Sequence, residues 1–205
     1  MKVLLINGSP NPDGCTFTAL KEVAAQLEAN DVETEIFQIG RSPVRGCIDC
    51  GGCRNNRCAF DDIANQALAK FESCDGLVIG SPVYYASPNG SLIALLDRMF
   101  FAGGALMRLK PCATIVSARR AGTTAALEVL NKYPTIAQMP LVSSKYWNMV
   151  HGNEPAEVLK DEEGVNTMRA LGNNMAYLLK CIEAGKQSGI TPPAPQPPIF
   201  TNFIR

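Results

Sequence analysis

Between Lys2 and Leu20 the chain changes character twice, and those changes narrow the folds open to it. Val3 to Ile6 form an unbroken apolar run, too short and too uniform for an amphipathic helix. It reads as a strand buried on both faces of a parallel sheet. The run gives way to Gly8, Ser9, Pro10, Pro12, Asp13 and Gly14, all turn formers. Apolar residues return at Phe17, Leu20, Ala24 and Leu27, the spacing of a helix face. A strand entering a helix through such a loop offers an anion the free N–H groups of the first turn and the positive end of the helix dipole. Ser9, Thr16 and Thr18 add hydroxyls, while the loop holds no Lys or Arg. A triphosphate site uses a loop lysine, and neither the Walker pattern nor G-x-G-x-x-G is present. The loop reads as a seat for a monophosphate held by neutral donors.

Alternation continues along the chain. Strands are expected at Val3–Ile6, Thr34–Ile39, Gly76–Gly80, Ala113–Ser117 and about Pro140–Ser143, and helices at Thr16–Ala29, Asp61–Ser73, Asn89–Phe101, Thr123–Lys132 and Glu163–Ala184. In the last helix Val165, Met168, Leu171, Met175, Leu178, Leu179 and Ile182 form one apolar stripe, which reads as core packing. Parallel βαβ units with right-handed crossovers follow, with helices on both faces. The expected fold is a doubly wound α/β three-layer sandwich with a five-stranded parallel sheet. Its ligand belongs beyond the carboxyl ends of the strands, where the strand order reverses.

One core suffices for 205 residues at 46% hydrophobic content, so residues 1–187 are expected to form one domain interrupted by a cysteine-rich insertion at 46–58. The tail, 188–205, holds Pro192, Pro193, Pro195, Pro197 and Pro198, which exclude a helix. Its apolar end, Ile199, Phe200, Phe203 and Ile204, is expected to dock on a neighbouring subunit. Lys plus Arg equals Asp plus Glu at 19 each, and no basic run occurs, so neither nucleic acid nor an acidic membrane surface is an expected partner. No signal-peptide pattern is read at the N-terminus, and no apolar stretch is read as long enough to span a membrane, so the chain is expected in the cytoplasm. In that compartment eight cysteines point to thiols, metal ligands or redox chemistry rather than a disulfide framework.

After the third strand comes Gly80-Ser-Pro-Val-Tyr-Tyr-Ala-Ser-Pro-Asn89, which enters a helix with Leu92, Leu95, Leu96 and Met99 on one face. A loop stiffened by two prolines and carrying aromatics suits a flat heteroaromatic ring that needs edge hydrogen bonds and a stacking surface. Asn7-Gly-Ser-Pro with Thr16 and Thr18, then Gly80-Ser-Pro-Val-Tyr-Tyr with Leu96-Asp-Arg98, resembles the NADPH-dependent FMN reductase family of flavodoxin-like proteins over residues 2 to about 184. The resemblance implies a flavodoxin-like sheet in the order 2-1-3-4-5, and FMN with its phosphate on Ser9, Asn11, Thr16 and Thr18 and its isoalloxazine lined by Pro82, Val83, Tyr84 and Tyr85. It also implies that the loop holding Ser117, Arg119, Arg120 and Gly122 flanks the flavin. Relatives commonly carry small residues where Arg119 and Arg120 stand. An arginine near flavin N1 favours the anionic reduced form; a solvated loop is the alternative.

Cys47, Cys50, Cys53 and Cys58 gather four potential thiolates within twelve residues. Tight C-x2-C-x2-C spacing is a feature of iron–sulfur ligation. The motif also resembles that of the iron-sulfur flavoproteins, a branch of the same family, which implies a [4Fe-4S] cluster close to FMN. Zinc on the same four residues and metal-free thiols are the other two readings. Cys15, Cys74, Cys112 and Cys181 read as small core residues, although a helix N-terminus at Cys15 would lower its pKa.

The sole histidine, His151, follows Trp147 on the expected ligand side of the sheet, where either could wall the pocket or, for His151, donate a proton; a structural histidine is the plainer reading. No Ser-His-Asp or paired-carboxylate arrangement is evident, and Asp61-Asp62 and Asp161 to Glu163 read as helix caps. Flavin N5 chemistry leaves no side chain certain to be catalytic, with Tyr84, Trp147 and His151 as candidates. The expected activity is NAD(P)H-dependent reduction of a small acceptor: a quinone, an azo or nitro compound, or flavin. The alternative is a protein passing single electrons between FMN, a [4Fe-4S] cluster and a ferredoxin-like partner, and the family resemblance implies a homodimer or homotetramer.

Overall fold

The computed structural model describes residues 1–201 and 203, and sets a largely parallel sheet between two helical layers. In chain order the elements are β1 (Lys2–Asn7), α1 (Cys15–Glu28), β2 (Glu33–Gln38), α2 (Ile63–Glu72), β3 (Gly76–Tyr84), β4 (Ser87–Pro88), α3 (Gly90–Met107), β5 (Cys112–Ala118), α4 (Thr123–Ile136), β6 (Met149–His151), α5 (Pro155–Val158) and α6 (Glu162–Gln187). The strand order is β2-β1-β3-β5-β6, all parallel, with β4 antiparallel on β3. Without the two-residue β4, this is the expected order 2-1-3-4-5.

Side chains on a strand alternate between faces, so an all-apolar strand feeds two cores. Leu4, Ile6, Leu77 and Ile79 pack with Leu68, Phe71, Leu95 and Leu127 from α2, α3 and α4. Val3, Leu5, Val78 and Ile115 pack with Leu20, Val23, Met168 and Leu171 from α1 and α6. Val3 to Ile6 are fully buried, as a strand covered on both faces must be. At the edge, Glu35 of β2 pairs with Lys2 and Lys70, and edge charges of this kind discourage pairing with another chain.

Several expectations need correction. The fifth parallel strand is not at Pro140–Ser143. Leu141 makes only an isolated bridge to Cys112, and the strand forms later, at Met149–His151, where Val116, Ser117 and Ala118 offer free partners. Helix α3 extends to Met107, and its 18 residues are long and apolar enough to cross a membrane, contrary to the sequence reading. Leu92, Leu95, Leu96 and Met99 are instead fully buried in this fold, so the core accounts for the helix's apolar character. Cys74 and Cys112 are buried, but Cys181 faces solvent on α6. The proline-rich tail forms no helix among the described residues, and Arg108 holds its start by donating to Pro193 O at 2.9 Å. Ile199, Phe200 and Phe203 are exposed, while Ile204 lies outside the described residues.

Candidate functional site

The loop after β1 is built largely from its own hydrogen bonds and those of its neighbours. Asn7 is fully buried and accepts the Ser9 N–H at 3.1 Å, while Ser9 Oγ accepts the Asn11 N–H at 3.1 Å. Such turns fix a loop without any ligand. Gln38, at the end of β2, donates to Ser9 O at 2.6 Å. At the reversal point between β1 and β3, Gly8 N donates to Gly80 O at 2.8 Å and Asn89 Nδ2 donates to Gly8 O at 2.7 Å. Gly8 has no room for a side chain: a Cβ would lie 2.5 Å from Leu92 and 2.6 Å from Gly80 O. Gly14 caps α1 without a side-chain bond, leaving the first-turn N–H groups to an anion.

The loop after β3 folds back as a tight hairpin, Val83 opposite Pro88 and Tyr84 opposite Ser87. Tyr85 and Ala86 make the turn at φ 52° and 59°, left-handed values that cost a non-glycine residue roughly 1 kcal/mol or more. Ser81 Oγ secures the far end by accepting the Asn89 N–H at 3.0 Å. Gly122, at φ 90°, packs so closely that a Cβ would lie 2.8 Å from Ala86 Cα, tying the loop after β5 to this hairpin.

These three loops surround a cavity of about 210 Å³. Of the expected flavin residues, Ser9, Asn11, Thr16, Pro82, Val83, Tyr84, Ser117 and Arg119 line it. Thr18, Tyr85, Arg120 and Gly122 do not. Thr18 Oγ1 donates back to Gly14 O, Tyr85 points to solvent, and Gly122 braces the hairpin. Trp147 is exposed, edge-on to Tyr146, and outside the lining. His151 sits within β6 rather than after it, and its backbone N–H and Nδ1 both face Asp161 Oδ2, at 2.7 and 3.7 Å. Asp161 also caps α6 by accepting the Gly164 N–H, so His151 is engaged in fixing that helix start.

Sequence reasoning missed Gly152 and Asn153, which line the cavity just beyond β6. Placing the fifth strand correctly would have found them. Cys15 lines the cavity too, but burial pushes its thiol up rather than down, and its Sγ lies 3.6 Å from Gly152 O.

The cysteine insertion is built differently. Most of residues 40–62 lacks regular structure, with turns at Asp49, Gly51, Asn55 and Asn56 in the left-handed region. Cys47 and Cys50 are exposed, Cys53 is half-buried and Cys58 is buried. All four nevertheless line one small cavity beside Phe60 and Arg98. Among the described residues no three His, Cys, Asp or Glu side chains converge closely enough to hold a metal ion, so the four thiols form no closed shell for zinc or for a cluster in this arrangement. Four thiols around one cavity are, in number and kind, the donor set of a four-iron cluster as well as of zinc.

Cys58 is the anchored member. Its N–H donates to Asn65 Oδ1 at 2.8 Å, and its carbonyl accepts Asn65 Nδ2 at 3.0 Å. Arg98, only 1% exposed, donates from Nε and Nη2 to Cys58 Sγ, each at 3.3 Å. The same guanidinium grips Asp62 through two bonds of 2.7 Å and reaches Arg45 O and Phe60 O. Burial pushes the Cys58 thiol up, but the Phe60 backbone and the Arg98 guanidinium outweigh it and bring it below its ordinary value. Burial and the neighbouring Cys58, Cys50 and Cys47 push Cys53 the other way.

A parallel sheet of this order, with a loop-built cavity at its reversal point, defines a flavodoxin-like protein. Solved structures agree on the fold. A flavone reductase aligns with 89% of this chain and 64% of its own at 17% identity and TM-score 0.67. An archaeal flavodoxin aligns with 88% of this chain and 99% of its own at 12% identity and TM-score 0.61. The family description "NADPH-dependent FMN reductase" matches residues 1–154, and the chain belongs to that family. Among its relatives are an iron-sulfur flavoprotein of Methanocaldococcus jannaschii, 29% identical over 89% of this chain and 100% of its own, and one of Archaeoglobus fulgidus, 27% identical over 92% and 100%.

Proposed function

We propose that this chain is an FMN-dependent oxidoreductase that is reduced by NAD(P)H and passes its electrons to a second centre rather than only to a diffusing acceptor. The loop-built cavity at the β1/β3 reversal point carries the first half of that reading. Bound FMN supplies hydride acceptance and one- or two-electron release. The chain supplies everything else. Ser9, Asn11, Thr16 and the first-turn N–H groups of α1 hold the phosphate by neutral donors, and Tyr84 with Pro82 and Val83 bounds the ring. Arg119 brings a positive charge to the loop after β5, where it would favour the anionic reduced flavin.

The four thiols around one cavity, and relatives named iron-sulfur flavoproteins, favour a [4Fe-4S] group on Cys47, Cys50, Cys53 and Cys58. Such a group supplies one-electron exchange, and a ferredoxin-like protein is the fitting partner. Direct reduction of a quinone, azo or nitro compound, or flavin at the same cavity is the second reading. An FMN-dependent NADPH-azoreductase of Staphylococcus saprophyticus, 28% identical over 48% of this chain and 52% of its own, favours it. The exposed Ile199, Phe200 and Phe203 are proposed to cover a neighbouring subunit in a homodimer or homotetramer, and the protein is assigned to the cytoplasm.

Purification under strict anaerobiosis, followed by the visible spectrum and FMN, iron and sulfide analysis, tests the proposal. Flavin bands with a broad shoulder beyond them, iron and sulfide, and rapid bleaching by a ferredoxin-like donor support the two-centre reading. Flavin alone, turned over by NADPH and a quinone, supports the second. A protein that takes up no FMN refutes both.

A further inference from the structure

A buried arginine is expensive unless its charge and its donors are met, and Arg98 meets them in an unusual way. Its planar fork is clamped from one side by both oxygens of Asp62, an arrangement that fixes orientation as well as charge. Asp62 is itself fixed, because Oδ1 also accepts the Ala64 N–H and caps α2. Two further donors land on one atom, Cys58 Sγ, at 3.3 Å each. A core anchor for the 45–62 segment needs only the carbonyls of Arg45 and Phe60, which Arg98 also reaches. The bonds to sulfur are additional to that role.

The geometry points to Arg98 as the positioning residue of the four-cysteine site: it aims and holds the Cys58 thiolate and biases the reduction potential of an iron–sulfur cluster upward. This inference rests on the reading that the four cysteines hold such a cluster. Reduction of the cluster adds one electron and no proton, so the reduced form carries one more negative charge. N–H donors and a cation at a ligand sulfur stabilise that more negative form. The Asp62 carboxylate opposes the effect, but the guanidinium is bonded to the sulfur and the carboxylate lies behind it. The cation therefore dominates.

Two substitutions separate electrostatic tuning from mere support, because they carry opposite signs. Arg98→Met removes the cation and both sulfur donors. Asp62→Asn keeps an oxygen for the α2 cap and for Arg98 while removing the opposing negative charge. The readout is an anaerobic dithionite titration of the cluster followed by its reduced-state EPR signal, with iron, sulfide and FMN content measured on the same samples. Arg98→Met is expected to lower the reduced-to-oxidised ratio at a fixed poise by about tenfold, or 59 mV for one electron. Asp62→Asn is expected to raise that ratio, and Arg98→Lys to fall between Arg98→Met and the parent. FMN content should not change in any of them.

If Arg98→Met does not fold, Arg98→Lys and Asp62→Asn alone retain the opposite signs. Shifts of the same sign in both charge variants, or no shift with iron retained, overturn the inference while leaving the cluster in place. A parent protein without iron and sulfide after anaerobic purification overturns the cluster reading, and this inference with it.

Discussion

The loop after β1 and the cysteine insertion both present groups for a ligand, but they are held by opposite means. In the first, Asn7, Ser9, Gln38 and Asn89 satisfy the backbone before any ligand arrives, and Gly8 is pressed against Gly80 and Leu92. In the second, Cys47 and Cys50 are exposed on irregular backbone, Cys53 is half-buried with its carbonyl bonded to Arg54, and Cys58 is the most firmly held, by Asn65 and Arg98. The first is a cradle that pre-exists its ligand, with little left to order on binding. The second is a half-closed purse, in which Cys47 and Cys50 would be fixed only by a bound group. Preorganisation favours affinity for a ligand that comes and goes; a loose thiol loop suits a group inserted once.

Amide hydrogen exchange puts this contrast to its most sensitive test. Amides of Gly8 and Ser9 should open only with large-scale unfolding, while those of 47–53 should exchange almost as in a free chain. The expected gap is on the order of a thousandfold or more in rate. Equal protection in the cluster-free protein would erase the distinction. Next in size, Gly8→Val forces side-chain atoms into Leu92 and the Gly80 carbonyl. Overpacking of this kind costs about 1–3 kcal/mol, read as a lower denaturant midpoint, and FMN uptake should be lost, while iron content per folded molecule is kept.

Asn89→Ala removes the bond to Gly8 O and the α3 cap at Ser91 N together, for about 1–2 kcal/mol and roughly tenfold weaker FMN binding by fluorescence titration. An unchanged affinity would mean that the loop after β1 holds its shape without α3. The smallest effect concerns acid. The Arg98 hydrogen bond, against some desolvation, holds the Asp62 carboxyl below the ordinary carboxylate range. Its contribution to stability is thus present above about pH 4 and lost as pH falls through the lower folded value. Asp62→Asn should flatten that stretch of the stability curve, measured by denaturant midpoints; a curve parallel to the parent's would show that the pair carries no weight.

The same contrast explains what could be read from the residues alone. β1, its loop and the Gly80–Asn89 segment were legible because each is a local event: an apolar run, turn formers, then helical periodicity. The alternation of elements gave parallel βαβ units, while the order of the sheet came with the family resemblance and not from periodicity. β6 was not legible, because three residues are too few for a period and its place depends on free partners at the end of β5. Nor was the hairpin at Tyr85 and Ala86, where no glycine or asparagine announces a left-handed turn. Arg98 stood out only as the end of the Leu96-Asp-Arg98 motif, with no structural role attached. Its partners Cys58 and Asp62 lie 40 and 36 residues away in the chain, a separation that no periodicity encodes.

Helix α3 carries one end of each arrangement, Asn89 at its cap and Arg98 nine residues further on. At 1.5 Å per residue those two anchors stand about 13 Å apart along the axis, and each added residue turns the second by about 100° relative to the first. The helix therefore works as a gauge block. Its pitch, and not the supple segment that bears the thiols, sets the separation and bearing of the two anchoring points. Substitutions on its surface can drift freely, but a one-residue insertion or deletion between Asn89 and Arg98 cannot leave both anchors aligned.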